Sequence, residues 1–93
     1  TYKLSHYFKV NNIDINVIGV PKTIDNDLVL TDHTPGFSSA AKYVMNTVSL
    51  IASDTNSYSK GRVTIIEVMG RGAGWLTASA KLSSLKAVIL PIR

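Results

Sequence analysis

The sequence predicts an α/β fold, a three-layer fragment of a Rossmann-like parallel sheet in which three strands are joined by crossover helices. Three observations carry this. Short apolar runs at residues 15–20, 63–68 and 87–90 are rich in β-branched side chains, and each ends at a proline or a glycine-bearing turn. The segments around them space their apolar residues by three and four, the period of a helix face. The two kinds of segment alternate, and near-continuous apolar strands separated by helices imply parallel strands buried on both faces.

Taken in order, residues 2–11 read as the end of an amphipathic helix with Leu4, Tyr7 and Phe8 on one face and a stop at Asn11 and Asn12. Ile15, Val17, Ile18 and Val20 form the first strand, ended by Pro21. Phe37, Ala41, Val44, Val48 and Ile51 make one buried stripe, predicting a long helix over about 35–53 with Lys42, Asn46 and Ser49 on its other faces. Residues 54–61 are a polar loop, and 63–68 form a second strand, β-branched everywhere except Glu67. Trp75, Ala78, Leu82 and Leu85 predict a third helix over 73–85, and 87–90 a third strand closed by Pro91. No internal repeat or linker divides the chain, so its 93 residues are read as one domain at most, near the lower limit for a self-sufficient core.

Ten Lys and Arg against six Asp and Glu give a net charge of +4. The basic residues form no run and no aromatic-interleaved helix face, which argues against nucleic acid and leaves small anions as the better fit. With no cysteine there is neither a disulfide framework nor a thiolate metal site, in keeping with a reducing cytoplasm. No apolar run approaches the roughly 18 residues of a membrane span, and the N-terminus lacks the pattern of a signal peptide. The expectation is a soluble, cytoplasmic protein with no membrane partner.

In an open parallel sheet, ligands bind beyond the carboxyl ends of the strands. The polar stretch after the first strand, "MGRGAG" at 69–74 after the second and residues 91–93 after the third therefore fall on one edge. In "PKTIDND" (21–27), Asp25 and Asp27 stand two residues apart behind Lys22 and Thr23. One carboxylate can take a proton from a hydroxyl while the other serves a separate duty, and the lysine and threonine can address phosphoryl oxygens. Residues 25–27 also suit Asx turns or a helix cap, the reading that spacing alone favours while leaving the catalytic one open. Glycines at 70, 72 and 74 with Arg71 suit an anion held at a helix start, or equally a tight strand-to-helix turn with Arg71 in a surface ion pair. The glycine spacing is not that of a dinucleotide fingerprint. His33 has no nucleophile partner and reads as a loop or capping residue. Glu67 needs an exposed position or a partner, and Trp75 reads as packing.

Together "PKTIDND" (21–27), "TDHTPGF" (31–37) and "EVMGR" (67–71) resemble the central segment of the phosphofructokinases, most closely the pyrophosphate-dependent branch, and the resemblance spans essentially the whole chain. It implies phosphoryl transfer from pyrophosphate or ATP to the 1-hydroxyl of fructose 6-phosphate in glycolysis, with Mg2+ bound mostly by residues outside this chain and none of its ligands here. By the same resemblance Asp25 is the catalytic base, assisted by Thr23 and Asp27, and Lys22 contacts the transferred phosphoryl region. Met69, Gly70 and Arg71 contact the sugar phosphate, Arg71 also steadying developing charge. Arg62 reaches the sugar phosphate of an adjacent subunit, which implies a homo-oligomer. The glycine-rich donor segment belongs upstream in this family, so the chain alone is expected to be inactive. Ile92 stands where the family usually has a sugar-contacting glutamate. A noncatalytic sugar-phosphate binding or interaction module is the alternative.

Overall fold

The computed structural model describes residues 1–83 and 88–90. Helix α1, Tyr2–Val10, stops where the two asparagines were expected to stop it, and the geometry shows why. Asn12 adopts a left-handed φ of 52°. Its N–H donates to the Lys9 carbonyl and that of Ile13 to the Phe8 carbonyl, while the Asn11 side-chain amide donates to the Tyr7 carbonyl. These bonds satisfy the Tyr7, Phe8 and Lys9 carbonyls, and asparagine is one of the few residues that enter this conformation readily. The chain then doubles back and sets the Gly19 backbone against the Thr1 side chain.

Helix α2, Phe37–Asn56, is the structural spine. Every member of its predicted stripe is shielded, with Val48 buried and Phe37, Ala41, Val44 and Ile51 half-buried, while Lys42 and Asn46 lie outside. It packs on helix α3, Trp75–Ser79, and on a 3-10 turn, Ala80–Leu82, that follows directly.

The third helix departs from expectation in length and in face. It has five residues, and its protected side holds Leu76, Ser79, Ala80 and Ser83. Trp75, Ala78 and Leu82 of the predicted stripe are exposed, and Leu85 lies outside the described residues. Two serines make the change of face possible. Ser79 Oγ donates to the Leu76 carbonyl and Ser83 Oγ to the Ala80 carbonyl, so each hydroxyl is satisfied within its own turn and can face α2 without an unpaired group. A hydropathy stripe follows bulk and reads such serines as polar.

The parallel sheet is not formed among the described residues. Residues 15–20, 63–68 and 88–90 carry no strand pairing, and the β contact observed is one isolated parallel bridge between Thr23 and Gly36. Val63 and Ile65 are 92% and 91% exposed, and Ile18, Val20 and Val88 are also largely open. Strand propensity expresses side-chain packing on a pleated surface with neighbours, and these runs lack covered neighbours on both faces. Predicted residue 87 and the segment 91–93, with Ile92, lie outside the described residues.

The second and third runs nevertheless border the same open groove. Val63, Ile65, Ile66, Val68, Val88 and Leu90 line one cavity of about 410 Å3 over Val48 and Ala80. The Cα radius of gyration is 19.8 Å, against about 12 Å for a compact chain of this length. The buried apolar side chains are Val48, Leu76 and Ala80 among the described residues, a core that holds α2 to α3 and little else.

Candidate active site

Between the first apolar run and α2, residues 22–37 form a loop tied across its own neck. Thr34 is 2% exposed. Its Oγ1 donates to the Thr23 carbonyl at 2.7 Å, and its N–H donates to Asn26 Oδ1 at 2.9 Å. Asn26 Nδ2 in turn donates to the Asp32 carbonyl at 3.1 Å. With the Thr23–Gly36 bridge, these bonds clamp residues 23–26 onto 32–36. Asn26 is thus the hinge of the pair of aspartates, with a left-handed φ of 55° and a side chain engaged on both its donor and its acceptor.

The clamp sets the two carboxylates in different surroundings. Asp25 is half-buried, and its N–H donates to Thr23 Oγ1 at 3.1 Å, whereas Asp27 is exposed. Lys22 is exposed, but its aliphatic stem crosses Gly36: a Cβ built there would lie 3.2 Å from Lys22 Cε and 3.5 Å from Ile24 Cγ2. Gly36 has a φ of 101° and immediately precedes α2, so both conformation and space call for glycine. His33 stacks on Phe37 with ring centroids 6.1 Å apart, a loop role that fits its expected reading.

The turn after residue 68 meets this loop. Gly70 is half-buried with φ 122°, and a Cβ built on it would lie 4.0 Å from Asp25 Oδ1. The Asp25 carboxylate therefore faces the Gly70 backbone across a gap that any side chain at 70 would begin to fill. The anion seat expected at a helix start takes a different form. The Ala73 and Gly74 N–H groups both turn back to the Gly70 carbonyl, and α3, with five residues, sums only a small dipole at its start. Met69 and Arg71 are exposed beside Gly70, Arg71 with a left-handed φ of 35°.

Of the residues singled out in the sequence, Thr23, Asp25 and Gly70 are brought together directly, with Lys22 on the flank of the same loop. Arg62 is held elsewhere: its guanidinium lies over the Tyr58 ring. Glu67 is exposed, and Trp75 is 54% exposed beyond the turn. Thr34 and Tyr58 carry structural work that spacing did not reveal, because their partners lie across loops whose closure no periodicity encodes. Among the described residues no three His, Asp or Glu side chains converge.

Thr34→Val is expected to destabilise the protein by about 1 kcal/mol, because it leaves the part-buried Thr23 carbonyl without its donor. Thr34→Ser, which keeps the hydroxyl, should recover most of that loss in a denaturant titration.

Comparison with known proteins decides the family. The family model described as Phosphofructokinase matches residues 1–92. The chain belongs to the phosphofructokinase family. That family has an α/β fold, which agrees with the predicted class. Relatives within it include the pyrophosphate–fructose 6-phosphate 1-phosphotransferase of Xanthomonas campestris pv. campestris (strain B100), 48% identical over 83 residues, or 87% of this chain and 20% of the relative. The ATP-dependent 6-phosphofructokinase 2 of Clostridium perfringens (strain 13 / Type A) is 46% identical over 82% of the chain and 20% of its own length. The sulfofructose kinase of Alkalicoccus urumqiensis is 39% identical over 85% of the chain and 21% of its own length. This phosphofructokinase segment thus spans about a fifth of the length of the curated relatives it matches. No solved structure matches it significantly.

Proposed function

We propose that the intact protein transfers a phosphoryl group from pyrophosphate or ATP to the 1-hydroxyl of fructose 6-phosphate, as a glycolytic, cytoplasmic enzyme, and that these 93 residues are its central segment. The observation that carries this reading is the Asp25 carboxylate facing the Gly70 backbone, with Oδ1 4.0 Å from the position a Cβ would take. A sugar hydroxymethyl group laid on Gly70 comes within reach of that carboxylate. Asp25 takes the hydroxyl proton as the oxygen attacks phosphorus, and the bond from phosphorus to the leaving phosphate or ADP oxygen breaks. The Asp25 backbone is fixed by Thr23 and the Thr34 clamp, so the base is pre-positioned rather than recruited.

The exposed Lys22 and Arg71 flank the loop and the turn and supply positive charge to phosphoryl oxygens, while Met69 and Gly70 form the floor under the sugar. Asp27, on the open side of Asn26, keeps a separate duty toward the metal–phosphate group. Magnesium would neutralise charge on the donor, its ligands coming mostly from parts of the enzyme beyond this segment. Arg62, displaced from Asp25 along residues 62–70, serves the sugar phosphate of a neighbouring subunit in a homo-oligomer.

The test is fructose 1,6-bisphosphate formation by the intact protein, assayed in parallel with pyrophosphate and ATP. Turnover with either donor supports the reading, and the ratio of the two kcat/KM values assigns the donor. Failure with both sinks it. The isolated 93-residue chain is expected to show no turnover in the same assay.

A further inference from the structure

Tyr58 has no part in the activity as described so far, yet the structure gives it a partner. Arg62 Cζ lies 3.3 Å from the centroid of the Tyr58 ring. The two residues are four apart in the loop that leaves α2, and the loop is closed beneath them by a 2.8 Å hydrogen bond between the Thr55 and Thr64 hydroxyls. Its start is fixed as well, since both the Ser57 N–H and its Oγ donate to the Asp54 carbonyl.

The distance itself sets the orientation. A guanidinium turned end-on would bring a nitrogen, one C–N bond of about 1.33 Å closer, to roughly 2 Å from the ring, inside van der Waals contact. The guanidinium must therefore lie face to face with the phenol. Stacking of this kind uses the cation's face and the ring's π electrons, and leaves the N–H donors pointing outward in the guanidinium plane. Those edge donors form the fork that grips a phosphate bidentately.

We propose that Tyr58 is a positioning residue for phosphate binding: its ring holds the Arg62 guanidinium flat at the loop surface, with the donor edge presented to the phosphate monoester of a sugar. This rests on the proposed role of Arg62. The ring reduces the orientational freedom that a long exposed arginine would otherwise lose on binding, so its contribution appears in affinity and not in the chemical step. The tyrosine hydroxyl is not required, because the ring face makes the contact.

The experiment uses the intact protein and reads two quantities: the equilibrium dissociation constant for fructose 6-phosphate without a phosphoryl donor, and kcat with one. Tyr58→Leu is expected to weaken binding by about 3- to 10-fold and to leave kcat within about twofold. Tyr58→Phe should restore the parent affinity. In an Arg62→Ala background, Tyr58→Leu should cause no further loss, because the ring acts only through the guanidinium. The proposal is overturned if Tyr58→Leu binds like the parent, if Tyr58→Phe is as weak as Tyr58→Leu, or if the loss persists without Arg62. The binding arm does not depend on turnover. A protein that phosphorylates nothing but shows the Arg62-dependent loss would refute the proposed function while upholding the pairing.

Discussion

Asp25→Asn in the intact enzyme is expected to lower kcat by about a hundredfold or more while leaving the KM for fructose 6-phosphate within about threefold. Asparagine has the shape of aspartate, so the backbone bond from residue 25 to Thr23 Oγ1 and the Thr34–Asn26 clamp survive. What disappears is the proposed capacity to accept a proton as the sugar oxygen attacks. Because that interaction is realised in the transition state, the loss should fall on kcat and on kcat/KM alike. A variant with parent-like kcat would remove Asp25 from the role of base. A variant in which KM alone rises would recast it as a binding group.

Gly70→Ala is expected to be the second most damaging change, for two reasons that act together. The backbone at 70 has a φ of 122°, where an L side chain is strained, at a cost on the order of 1–3 kcal/mol. The added methyl would also sit 4.0 Å from Asp25 Oδ1, in the gap through which the substrate hydroxyl would reach the carboxylate under the proposed function. Displacing a reacting hydroxyl by a fraction of a methyl's width is expected to cost about a hundredfold in kcat/KM. Gly72→Ala is the control: a Cβ there meets nothing within 4 Å and its φ lies outside the left-handed region, so activity should hold. Equal losses at 70 and 72 would mean that the turn responds to any reduction in flexibility, and that closeness to Asp25 is not what matters.

What could be read from the sequence depended on the range of the interactions involved. Helix α2 was legible because its stripe from Phe37 to Ile51 repeats a local period that packing on α3 then uses. The stop of α1 was legible because asparagine tolerates the left-handed turn that Asn12 adopts. The face of α3 was misread, since Ser79 and Ser83 hide their polarity in bonds to their own turns. The strands were predicted from β-branched content, but pairing requires neighbours that composition cannot supply, and Val63 and Ile65 remain uncovered. In the candidate site, the chemistry-bearing residues Asp25, Thr23 and Gly70 stood out by type and motif. Thr34, Asn26 and Tyr58 did not, because hydrogen bonds across eight and eleven residues and a stacked ring are facts of three dimensions.

The clamp around Asn26 also bears on the order in which the molecule assembles. Its bonds join positions only six to eleven apart along the chain, and ends so near in sequence find one another in about 10–100 ns. The loop that carries the carboxylate is therefore expected to take shape early, ahead of the slower, longer-range packing of α2 on α3. A nascent chain would then hold the Asp25 carboxylate in an almost finished cradle while the surrounding architecture is still being gathered.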